Sequence, residues 1–272
     1  MEPTVFQLGR NVLGSMNPLE EIVAREIFHF SIFGFEVSVS NHMFMVTLAA
    51  VLLMVALPLA VRQKRLVRTG FGNLIEAVCE FVREDIARPF LGDRTDKHIG
   101  FIWTIFFFVL TLNLLGMVPL GRVIFLVTGK GMHFEGAATA NIWVTGALAV
   151  VAFLSIHISG IREQGLAGYI KNFAPKVPWP MIPFIYFMEI IGALMKPLAL
   201  AIRLFANMLA GHLLLATLLG LIMVFKNYIA ASASIVGVVL MSLLEIFVAF
   251  LQAYIFTFLS TIFIGFAVQP DH

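Results

Sequence analysis

The chain has 272 residues, of which 60% are hydrophobic and 12% charged. A soluble domain carries roughly 25% charged residues, so this composition excludes an ordinary water-soluble globule and makes the bilayer the main solvent. The formal net charge of +2 gives no ground for nucleic-acid binding, and the single cysteine, Cys79, excludes an intrachain disulfide framework and a multi-thiolate metal site.

The first forty residues contain no basic stretch followed by an apolar one, which gives no reason to expect a cleavable signal peptide. Residues 1–41 are expected to form an external N-terminal segment, and 42–272 a single membrane domain. The first span is "HMFMVTLAAVLLMVALPLAV", 42–61, about the ~20 residues that hydrocarbon requires. Segment 71–88 mixes apolar residues with Glu76, Glu80, Arg83, Glu84 and Asp85. Leu74, Val78, Phe81 and Val82 recur at helical spacing, so an interfacial amphipathic helix is expected there. The second and third spans are 99–120 and 139–159. Two oversized apolar segments follow, 183–225 and 228–268, each about twice one span. Neither contains a loop-like polar cluster. The expectation is two long, steeply tilted helices, each about 60 Å at 1.5 Å per residue, joined by a tight turn at "FKNY". The fold class is thus all-α, with about five membrane-embedded helices and one interfacial helix.

Cations divide unequally between the two sides. Segment 62–98 carries Arg62, Lys64, Arg65, Arg68, Arg83, Arg88, Arg94 and Lys97, and loop 161–180 adds Arg162, Lys171 and Lys176. The opposite side has Arg10, Arg25, Arg122, Lys130 and Lys226. The positive-inside rule puts the richer side, and the C-terminus, in the cytoplasm and the N-terminus outside.

The long segments hold ionisable residues that membrane insertion penalises by about 2.5–3.5 kcal/mol each. Arg203 cannot shed its proton, so it must meet protein, water or a counter-charge. Glu189, Lys196 and Arg203 recur every seven residues, with Asn207 four beyond, which makes one stripe of a helix. His212 is two and a half turns from Arg203 and points to the opposite face. A hairpin folded near residue 228 places His212 opposite Glu245 and Arg203 opposite Gln252 in one antiparallel register. A His–Glu pair titrates as a unit and suits proton relay. Structural readings stand beside these: Lys196 can snorkel, Asn207 and Gln252 can bridge helices, and Asn113 and Asn141 can cap or line an interface.

At "LMKPLALAIRLFANMLAGH", residues 194–212, the chain resembles subunit a of the rotary F-type ATP synthases. "TLNLLGMVP" (111–119), "ATANIWVTGALA" (138–149) and "LLEIFVAFLQAYIFTFLSTIFIG" (243–265) fit the same family in order and spacing. The resemblance implies a stator with two offset proton half-channels meeting at a rotating ring of c subunits, each bearing one membrane carboxylate. It implies that Arg203 faces that carboxylate and separates the half-channels, with Asn207 and Gln252 beside it. His212 and Glu245 match the outer half-channel's polar pair, in swapped order relative to some members, and Glu189 matches an acid of the inner one. Gly116 departs from the family, some members of which carry an acid there. The implied partners are the c-ring, peripheral-stalk b subunits, the remaining synthase subunits and lipid. The implied place is the cell inner membrane, with the proton as the transported ion. No cofactor is expected, and the chain is not expected to be an enzyme on its own: it has no GxxxxGK[ST] loop, HExxH or GxSxG. The competing reading is a stand-alone transporter or antiporter with the Arg/Glu/His set as its site.

Overall fold

A computed structural model describes residues 26–32, 35–61, 70–118, 137–172, 178–225 and 228–268. Several cations behind the orientation argument lie outside these residues: Arg10, Arg25, Arg62, Lys64, Arg65, Arg68, Arg122, Lys130, Lys176 and Lys226. So do residues 226 and 227 of the expected turn.

The first described residues form a β-hairpin that the sequence reading did not anticipate. β1 (Glu26–Ile32) pairs antiparallel with β2 (Phe35–Ser40), from Ile32 opposite Phe35 to Glu26 opposite Ser40, with an irregularity between Glu26 and Phe28. Its sequences, "EIFHFSI" and "FEVSVS", alternate apolar and polar residues with the period of two that a strand requires.

The regular elements described after it are all helical. α1 (Asn41–Val61) is apolar on all sides, as a helix surrounded by lipid can be. α2 (Phe71–Phe81) continues through a π-helical turn (Val82–Ala87) into α3 (Arg88–Leu91). Gly92, at φ 52°, starts a 3-10 turn (Gly92–Arg94), and α4 (Thr95–Met117) follows. α5 (Ile142–Asn172) is preceded by a 3-10 turn (Ala138–Ala140) and kinks at Gly165. α6 (Ile182–Phe225) and α7 (Tyr228–Val268) are 44 and 41 residues long. Each oversized apolar segment is therefore one continuous helix, because nothing inside it breaks the hydrogen-bond ladder except Pro197 in α6. Among the described residues, five stretches are long and apolar enough to cross a membrane: Asn41–Ala60, Phe71–Met117, Ile142–Lys171, Ile182–Leu221 and Ala231–Val268.

The described residues form two compact units, and α6 and α7 contribute to both. One draws on Leu48–Thr111, Trp143–Arg203 and residues from Leu251 onward. Its core is Val82, Ile86, Leu91, Ile102 and Phe106, all fully buried. The chain folds back at Gly92 so that the Trp103 indole N–H donates to the Cys79 carbonyl at 3.0 Å and Arg83 pairs with Asp96 at 2.6 Å. α7 packs on the α2–α3 segment through Phe81 against Tyr254 and Phe90 edge-on to Phe258, at 6.1 and 5.4 Å. Lys97 is ion-paired to Glu163 and ties α4 to α5.

The other unit draws on the described residues up to Thr47, Leu112–Ile142 and Leu204–Phe250. Ala137, Ala140 and Met208 form its small core, with Met117 packed against them. α4 comes close here. A Cβ on Gly116 would strike the Met208 methyl and lie 2.8 Å from the Ala137 Cβ. That closeness gives a steric reason for glycine where some members of the resembling family carry an acid.

Candidate functional site

In the unit containing Arg203, the first half of α6 carries Glu189 and Lys196 two turns apart. The Lys196 ammonium lies 3.6 Å from the Glu189 carboxylate and 4.7 Å above the Phe263 ring of α7. Lys196 thus has two electrostatic contacts within the protein, an ion pair and a cation–π contact. Gln252, also in this unit, is 2% exposed. Arg203 differs from all of these. It is exposed on α6 next to exposed Ile202 and near exposed Leu198. Among the described residues it has no hydrogen-bond or ion-pair partner, Gln252 included. A permanent cation on an apolar surface, with no counter-charge among the described residues, calls for one from outside them.

In the other unit, α6 and α7 approach closely at Gly211. A Cβ there would lie 2.6 Å from Glu245 Oε1 and 3.1 Å from its Cδ. The Glu245 carboxyl is therefore seated against the α6 backbone at the residue immediately before His212. Both Glu245 and His212 are half-buried. A Cβ on Gly237 would lie 3.5 Å from the Leu218 side chain, ordinary contact in the same antiparallel register. This is the register in which His212 and Glu245 were expected to face each other. Gly211 carries no chemistry of its own, and the sequence reading passed over it. Its one signal was a small residue beside a membrane histidine, where a neighbouring helix can come close.

The remaining candidates separate into roles. Asn113 is 3% exposed, and its amide donates to the Ala249 carbonyl at 3.4 Å, so it joins α4 to α7. Asn141 has extended backbone, donates its N–H to the Ala138 carbonyl at 3.2 Å and immediately precedes α5, the position a capping asparagine takes. Asn207 is exposed on α6. No three His, Cys, Asp or Glu side chains among the described residues cluster as a metal site would require.

Residues 43–265 match the family model described as ATP synthase A chain. The chain is 40% identical over 249 residues to the ATP synthase subunit a of Chloroherpeton thalassium, an alignment covering 88% of this chain and 69% of that one. It is 40% identical over 242 residues to ATP synthase subunit a of Myxococcus xanthus, covering 87% and 75%. It is 38% identical over 244 residues to ATP synthase subunit a 2 of Prosthecochloris aestuarii, covering 88% and 71%.

Proposed function

Since this chain belongs to the ATP synthase A chain family, we propose that it is the stator that passes protons between two half-channels at a rotating c-ring. The observation that carries the reading is Arg203, an exposed cation without a counter-charge among the described residues. A carboxylate on a neighbouring subunit supplies that charge. When the carboxylate is ionised the two attract. When it is protonated the attraction is gone, and the ring subunit can leave into lipid. Arg203 therefore favours loss of the proton at one point of the cycle, and its own fixed charge repels a proton moving directly between the channels.

His212 and Glu245 serve the outer half-channel, with Glu245 held where α6 has only a glycine. A carboxyl beside an imidazole passes a proton without either group holding it tightly. Glu189 serves the inner half-channel, with the Lys196 ammonium 3.6 Å from its carboxylate. Asn207, Gln252, Asn113 and Asn141 have supporting roles. The c-ring, the peripheral-stalk b subunits and the other synthase subunits are its partners, and ATP chemistry resides in them. The chain sits in the bacterial inner membrane with its N-terminus outside and its C-terminus in the cytoplasm. The physics requires such a machine. One charge crossing 100 mV releases about 2.3 kcal/mol, too little for one ATP, so several protons must be summed mechanically. The family match does not favour a stand-alone transporter.

The test is purification from gently solubilised membranes of a strain with Cys79→Ser and Arg203→Cys. A ring of small two-helix subunits should co-purify, and a cysteine near its carboxylate should form a disulfide with residue 203. A chain that purifies alone, with no such subunit, contradicts the proposal.

A further inference from the structure

The last turn of α7 is held from three directions, all within one unit. The Arg94 guanidinium donates to the Val268 carbonyl at 2.6 Å, and the Gln164 amide donates to the Ala267 carbonyl at 2.6 Å. Gly265 lies against the Phe90 carbonyl, which a Cβ would approach to 2.8 Å, and Gly160 lies against the Ala267 carbonyl, at 3.0 Å from its own imagined Cβ. The last four carbonyls of a helix have no partner within it and carry its negative dipole end. Arg94 answers both needs with a charge-assisted bond, and Gln164 adds a second donor from a different helix. The arms of this clamp are themselves braced, since Lys97 ties α4 to Glu163, the neighbour of Gln164.

Elsewhere along this half of α7 the contacts are mostly apolar, such as Phe258 on Phe90 and Tyr254 on Phe81. Apolar packing is close-fitting but non-directional, and two directed hydrogen bonds at the end add an axial stop to it. We propose that Arg94 and Gln164 are positioning residues that clamp the end of α7 and thereby set the height of Gln252 in the same unit. Gln252 lies sixteen residues up the helix from Val268, roughly 24 Å along a rod that transmits any slip of its end. The inference rests on reading Gln252 as part of the proton path. Neither clamp residue was marked by the sequence, where Arg94 counted only as an inside cation.

The experiment uses the assembled complex in its membrane. Arg94→Ala and Gln164→Glu, which keeps the side chain's size but removes its donor, are compared with Arg94→Lys, which keeps a charged donor. Hydrogen exchange of the last turn of α7 should rise about tenfold in the first two, as loss of one strong hydrogen bond at a local opening implies. Protons pumped per ATP hydrolysed should fall along with it, and Arg94→Lys should restore most of both. Unchanged exchange in both donor-removing variants overturns the clamp, and raised exchange with unaltered proton-to-ATP ratio overturns its positioning role. The exchange measurement does not depend on the stator reading, and Arg203→Ala, run alongside, tests that reading separately.

Discussion

Arg203 and Gly211 do opposite things at the residue scale. Arg203 brings a charge to an exposed apolar face, and Gly211 brings nothing, which allows Glu245 its seat. Gly211→Ala would place a methyl 2.6 Å from Glu245 Oε1. Overpacking of that kind costs about 1–3 kcal/mol where neighbours cannot move. Here the end of a flexible side chain can move, so the expected outcome is a displaced carboxyl in an assembled protein. ATP-driven proton pumping should fall about tenfold, equivalent to ~1.4 kcal/mol in the rate-limiting proton transfer, with the chain present at normal levels. Reduced assembly with normal pumping per complex would show that Gly211 matters for packing alone. The ionisable candidates stand out in the sequence because a charge in an apolar run has no cheap structural explanation. Gly211, Arg94 and Gln164 do not, because what singles them out is what a distant segment brings against them.

At the scale of elements, α6 and α7 were legible for a related reason. Each is an apolar run of more than 40 residues without a loop-forming cluster, and one helix is the simplest backbone that satisfies every amide in lipid. The hairpin of β1 and β2 was missed because attention to long apolar stretches passes over six- and seven-residue alternations. The interfacial segment 71–88 was expected as one amphipathic helix, and its π-helical turn over Val82–Ala87 left no mark in the hydrophobic pattern. The kink in α5 was equally silent. Gly165 has φ 72° and ψ 159°, a region essentially reserved for glycine. Gly165→Ala should therefore cost about 1–3 kcal/mol, seen as a lower temperature of dissociation for the purified complex. It sits next to Gln164, so a strained backbone there should also loosen the end of α7. An alanine variant as stable as wild type would mean that α5 can straighten without cost.

The whole molecule is best understood as incomplete by design. Large apolar side chains such as Leu194 on α6 and Phe247 on α7 are exposed, and lipid covers most such surface. Arg203 has no counter-charge among the described residues. On the proposed reading it is a fixed charge presented to a moving partner, and a charge neutralised inside the chain would not serve that purpose. The pattern of spans was readable from hydropathy alone, whereas which subunit meets which face was not, because a single chain carries no record of its neighbours' positions. The most direct test of the central claim is proton movement in membranes carrying the assembled complex with Arg203→Ala. The account predicts no ATP-driven pumping, together with a faster passive proton leak through the membrane sector once the barrier between half-channels is gone. Assembled Arg203→Ala complexes that pump at the wild-type rate would contradict it.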